Sequence, residues 1–157
     1  MSYASNTVVP EDRSRTEIER ALMRYGASRF GYMREERRAM IGFTYRNISV
    51  QMIIPLPDPR DDAFTRTPTG RQKRTNISVL YEQEVRRRWR SLALAIKAKL
   101  VAVADGVCSF EAEFLPYMVT NDGQTVAQKM LPMIEQATMG GGISPLLLTA
   151  GTEERRG

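Results

Sequence analysis

The sequence contains no histidine and a single cysteine, Cys108. The first absence removes Ser-His-Asp and Cys-His nucleophilic catalysis and the usual zinc sites in one step. The second excludes an intrachain disulfide and any cysteine cage for a metal. Cys108 itself reads as a small core residue just past a helix end. No apolar run approaches the ~20 residues needed to span a bilayer. The start, MSYASNTVVPEDRSR, has neither the basic opening nor the apolar run of a secretory signal. A cytoplasmic protein is the expectation. Aromatic residues are scarce, at 8% with one tryptophan, so few rings are available to stack on bases.

The chain is otherwise of ordinary make-up. Its 157 residues are enough for one domain with a core of its own. The expected extent is 14–138, with 1–13 and 139–157 as flexible tails. What stands out is where the charge lies. Between Arg66 and Arg90 there are eight basic residues against Glu82 and Glu84, a local charge of +6, whereas the whole chain carries +5. The other 132 residues hold 15 basic and 16 acidic side chains and are close to neutral. That concentration points to an anionic partner.

Local patterns predict the elements in turn. Ser14 and Glu17 have the spacing of a capping box, and Ile18, Leu22 and Tyr25 follow it as one apolar stripe. Gly26 is a suitable stop, though the helix could run on to Phe30. The opposite face, with Glu19, Arg20 and Arg24, reads as solvated. AMIGFTYR and ISVQMII then alternate. A two-residue turn at Arg46-Asn47 would oppose Tyr45 to Ile48, Phe43 to Val50 and Ile41 to Met52, with the large apolar side chains on one side. Pro55, Pro57 and Pro59 end the second strand. The next ~20 residues show no period, with room for a third strand around 63–67. Thr67-Pro68-Thr69-Gly70 reads as a turn leading into Arg71, Lys73 and Arg74, a combination suited to close approach of a phosphate.

A long helix follows, capped by Asn76 or Ser78. Val85, Trp89, Leu92, Ile96, Leu100 and Val103 form a stripe about 80° wide, so Trp89 is assigned to the core. Arg86, Arg90 and Lys97 form a second row roughly 100° round the helix. Gly106 closes the helix. Ser109 caps a short helix bearing Phe110, Phe114 and Met118. Thr125 and Gln128 make a second capping box, opening a helix with Val126, Met130, Met133 and Ile134 that Pro132 should kink or interrupt. Its methionines read as adaptable core filling, though a partner surface would also use them. Pro145 to Leu148 is a weak docking segment within the tail.

These elements predict an α+β fold: a β-hairpin, with room for a third strand, packed on a long central amphipathic helix with short helices around it. Catalysis finds no support. Asp58, Asp61, Asp62, Glu82 and Glu84 match no nuclease spacing, and Glu82 and Glu84 already have i, i+4 partners in Arg86 and Arg88. Gly70-Arg71 lacks the Lys-Ser/Thr pair and the earlier glycine of a phosphate loop. No cofactor or metal is expected. The segments IIPLPD, FTRTPTGRQKR, YEQEVRRRWRSLALAIKAKL and FEAEFLPYMV resemble those of small uncharacterised proteins encoded by tailed bacteriophages and prophages, over roughly 17–135. That resemblance implies a phage context and no activity. A hairpin followed by a long basic helix is also loosely similar in architecture to Rad52-type single-strand annealing proteins. The expected function is non-enzymatic nucleic-acid binding, DNA rather than RNA, in DNA processing or recombination in the host cytoplasm. The expected contacts are Arg66, Thr69, Gly70, Arg71, Lys73, Arg74, Arg86, Arg90 and Lys97. The alternative is a protein-interaction module or inhibitor that binds a host or phage protein complex.

Overall fold

The structure is a computed structural model and describes residues 10–67, 69–71 and 76–140. Helix α1 (Asp12–Arg24) leads into an antiparallel meander of β1 (Ser28–Arg34), β2 (Arg38–Tyr45) and β3 (Ile48–Pro55), in that spatial order. A single-turn helix α2 (Asp62–Thr65) precedes the 28-residue helix α3 (Ile77–Ala104), which is about 42 Å long. Helix α4 (Phe110–Phe114), a 3-10 turn (Leu115–Tyr117) and helix α5 (Val126–Met139) complete the described chain. The α+β class is as expected, and the third strand is present.

The third strand does not lie around 63–67. It is β1, which precedes the hairpin, while the 63–67 region is largely helical. In α2, Asp61 accepts the Ala63 N–H at 3.1 Å and Phe64 is buried with its ring edge-on to Tyr81. The strand is weakly written because its register is broken. A bulge lies between Ser28 and Gly31, and Arg29 sits at φ 53°. Helix α1 stops well short of Phe30. The Gly26 N–H bonds to the Met23 carbonyl and the Ala27 N–H to the Leu22 carbonyl, with Gly26 at φ 93° supplying the left-handed exit. The start of α1 also differs from expectation. It begins at Asp12 with Glu11 as its N-cap and no side-chain cap, and Ser14 is a buried residue inside the helix rather than its cap.

The β2–β3 hairpin matches its pattern in every pair. Tyr45 faces Ile48, Phe43 faces Val50 and Ile41 faces Met52. Arg46 and Asn47 both have positive φ, 44° and 67°, as a two-residue primed turn requires. Ala39, Ile41, Phe43, Val50, Met52 and Ile54 are buried on one face. They share a single core with Ile18, Ala21 and Leu22 of α1 and with Val85, Trp89, Ala93, Ile96 and Leu100 of α3. Leu92 and Val103 of the predicted stripe are only partly buried and flank this core, and Ala93 takes a central place. Phe110 and Phe114 stack at 4.6 Å between ring centres, and Phe43 meets both edge-on, so α4 seals one end. Asn76 caps α3 and Gly106, at φ 73°, ends it as expected.

At the start of α1 the fold is fastened by a buried carboxylate. Glu11 is 1% exposed, and its Oε1 accepts from the Tyr32 hydroxyl at 2.7 Å and from Arg34 Nη1 at 2.6 Å. Burial, followed by that hydrogen bond, pushes the Tyr32 phenol up to about 12. The Arg15 guanidinium lies 4.7 Å over the Tyr32 ring, and Tyr32 in turn meets Trp89 at 5.6 Å. The edge strand β1 is thus tied both to α1 and to the middle of α3.

Helix α5 departs most from expectation. Its capping box is present in both directions, with Thr125 and Gln128 exchanging hydrogen bonds at 2.9 and 3.2 Å. The helix then runs through Pro132 without interruption to Met139. None of its residues is buried, and Met130, Leu131, Met133, Ile134 and Met139 are all exposed. Its methionines therefore do not fill the core.

Candidate nucleic-acid interface

The predicted contact residues fall into two places. Arg66, Thr69, Gly70 and Arg71 lie in the loop between α2 and α3. Lys73 and Arg74 lie outside the described residues. The expected turn closes with the Gly70 N–H donating to the Thr67 carbonyl at 2.8 Å. The Thr67 N–H donates to the Arg71 carbonyl at 2.7 Å, and Thr67 Oγ1 accepts the Arg71 N–H at 3.2 Å. Gly70 has φ 81°, and open space lies where a side chain would project. Arg60, Asp62, Thr65, Arg66 and Gly70 surround an open cavity of about 580 Å³. Arg66 is opposed by Asp62 at 3.7 Å, one turn earlier in the sequence.

The helix row divides. Arg86 pairs with Glu82 of its own helix at 3.8 Å. Arg90 and Lys97 instead reach across to Glu17 of α1. Arg90 Nη1 is 2.7 Å from Glu17 Oε2, and the Lys97 ammonium pairs with Oε1. The Lys97 hydrogen bond, more than any other contact, holds the Glu17 carboxyl below its ordinary value. The structure adds Arg20 and Arg24, expected on a solvated face, and Arg13, expected in the tail. Arg13, Arg20 and Arg24 project from α1 beside Glu17, and together with Arg90 and Lys97 they line a groove of about 620 Å³ between α1 and α3. Asp12, Thr16, Glu17 and Ala21 complete the lining. Among the described residues five cations face two carboxylates, a net +3 in one concavity.

A signal for the groove is present in the sequence. Arg13, Glu17, Arg20 and Arg24 follow i, i+4, i+7 and i+11, one face of a helix. What the spacing lacks is the partner helix, since Glu17 meets Arg90 and Lys97 at separations of 73 and 80 residues. The groove and the loop cavity share no described lining residue. The remaining α3 arginines are engaged elsewhere. Glu84, held down to about 2 by Arg87 and then Arg88, accepts from both, and Arg88 also donates to the Pro55 carbonyl at 2.6 Å.

Base stacking has little to work with. Phe64 is buried, while Tyr32 and Tyr81 are partly buried against Trp89 and Phe64. Among the described residues no aromatic side chain lines the groove. Among the described residues no three Asp, Glu or Cys side chains converge as a metal site. The Cys108 thiol is pushed up by its hydrogen bond with Glu113 and by burial, the opposite of nucleophilic activation. No described helix is long and apolar enough to cross a membrane. Comparison with protein-family models, with curated proteins and with solved structures gives no match.

Proposed function

We propose that the protein binds nucleic acid without catalysing a reaction on it, and that it serves DNA processing or recombination in a phage or prophage setting in the host cytoplasm. The observation that carries the binding is the convergence of Arg13, Arg20, Arg24, Arg90 and Lys97 on one groove against Asp12 and Glu17. The setting rests on the resemblance to phage-encoded proteins. Arg and Lys that neutralise phosphates release condensed counterions, so affinity falls with salt. A groove with a net +3 should contribute a log–log slope of roughly −3 with duplex DNA. Arg66 and Arg71 extend the contact on the loop.

Fluorescence anisotropy with labelled single- and double-stranded oligonucleotides, over a salt series, tests this. Binding at low salt should weaken steeply as salt rises, and reversing Arg20 and Arg24 together to Glu should largely abolish it. DNA should bind at least as well as RNA of the same length. No binding at low salt sinks the reading. So does binding indifferent both to that reversal and to reversal of Arg66 and Arg71.

One observation favours the alternative of a protein-interaction module. Helix α5 presents Met130, Leu131, Met133, Ile134 and Met139 to solvent, a composition suited to a helix-in-groove contact. Pull-down from nuclease-treated host lysate separates the two. A stoichiometric protein retained by wild type and lost on replacing Met133 and Ile134 with Gln supports the alternative.

A further inference from the structure

The groove contains its own anion. Glu17 divides its two carboxylate oxygens between Arg90 and Lys97 and leaves Arg13, Arg20 and Arg24 around it on the same helix. A phosphodiester presents the same demand, two non-bridging oxygens sharing one negative charge. We infer that Glu17 stands in for a ligand phosphate: it holds Arg90 and Lys97 in the free protein and yields them when a nucleic-acid backbone enters the α1–α3 groove. This rests on the nucleic-acid reading above and adds how the site is tuned and what it recognises.

Three features make the exchange feasible. The side chains of Glu17, Arg90 and Lys97 are 27%, 54% and 41% exposed, so solvent and ligand reach all three. Ion pairs this exposed contribute little to a fold, so breaking them costs little. Thr16 and Ala21 are the small residues beside Glu17 in the lining, and they leave room for a backbone. Along α1, Arg13 to Arg24 spans about 16 Å, the rise of about five stacked nucleotides in one strand. With no aromatic side chain among its described lining residues, the groove reads backbone charge and not base identity. Glu17 lowers affinity by occupying two of the five cations, and so sets how much salt releases the ligand.

The test compares the whole protein with its Glu17→Gln variant on a labelled duplex oligonucleotide. The inference expects the variant to bind roughly three- to tenfold tighter at 0.1 M salt, with a salt slope steeper by about 0.9, because one internal charge no longer competes. Adding Arg90→Gln and Lys97→Gln to that variant should erase the gain. Wild-type binding with equal or weaker binding by Glu17→Gln overturns the inference and leaves the nucleic-acid reading standing. If neither protein binds duplex or single strand, both fall. If polyglutamate displaces the oligonucleotide charge for charge, the occupant is an acidic protein segment and the inference falls. Should the variant not fold, the carboxyl-carbon NMR resonance of Glu17 in the wild-type chain decides. It should move on titration with the oligonucleotide, and a resonance that stays fixed at saturation overturns the inference.

Discussion

Helices α3 and α5 carry similar apolar periodicity and end in opposite environments. In α3, Val85, Trp89, Ala93, Ile96 and Leu100 are at most 2% exposed under the sheet and α1. In α5, Met130, Leu131, Met133 and Ile134 are between 44% and 61% exposed. Each helix has a side-chain N-cap, and α5 has the better one. The difference lies in what flanks them. Helix α3 runs beside α1 and under a sheet face that the hairpin has already made apolar. Among the described residues, helix α5 is fastened at its first turn: the Val126 N–H bonds to the Met118 carbonyl at 2.9 Å, and Lys129 pairs with Asp122 at 2.7 Å. An apolar stripe becomes core when a complementary surface is already in reach, and otherwise remains a surface for something else.

The sharpest way to break this comparison is Trp89→Ala. Loss of a fully buried indole should cost about 3–5 kcal/mol in equilibrium denaturant unfolding. A cost under ~1 kcal/mol would mean that α3 is not the centre of the core. Next comes a matched pair, Ile96→Ala and Ile134→Ala. The first should cost about 2–5 kcal/mol and the second stay within ~0.5 kcal/mol. Equal costs would show that α5 is buried in solution.

Smaller effects test the anchor of α5. Thr125→Ala removes the N-cap oxygen, and a loss of about 1 kcal/mol is expected. It should appear as faster amide exchange in the first turns of α5, with global unfolding nearly unchanged. The smallest effect is acid sensitivity. Glu84 on α3 titrates at about 2, below its unfolded value, because Arg87 and Arg88 hold its charged form. A depressed carboxylate adds stability above its unfolded pKa and loses it as pH falls through the folded one. Stability should therefore decline from about pH 4.5 toward 2, and Glu84→Gln should flatten that decline. Asp122 beside α5 is lowered in the same sense, mainly by Lys129. Asp122→Asn should remove the acid response of α5 amide exchange and leave that of α3 intact.

Much of the fold was legible locally. The hairpin register could be read residue by residue, because alternation has a period of two and the Arg46-Asn47 turn leaves one pairing that buries every large side chain. The caps at Asn76, Ser109 and Thr125, and the exits at Gly26 and Gly106, are settled by a few adjacent residues. Strand β1 was obscured by a bulge that breaks its alternation. The capping box at Ser14 is outcompeted by burial, since Ser14 is buried and the helix begins earlier, at Asp12 with Glu11 as its N-cap. Half of the candidate site was legible in the same way. Arg90 and Lys97 share a predicted row, whereas Arg20 and Arg24 read as a solvated face and Arg13 as part of the N-terminal tail.

The sequence by itself determined the α+β class, the hairpin and its register, the ends of the helices other than the start of α1, and the basic bias of the segment from Arg66 to Arg90. These depend on sterics and hydrogen bonds within a few residues, or on pairing across a two-residue turn. Tertiary structure decided that Glu17 meets Arg90 and Lys97, that α1 and α3 enclose a cationic groove, and that the stripe of α5 stays exposed. Those outcomes depend on which surfaces are brought together across 70 or more residues of chain, and local periodicity does not encode that choice.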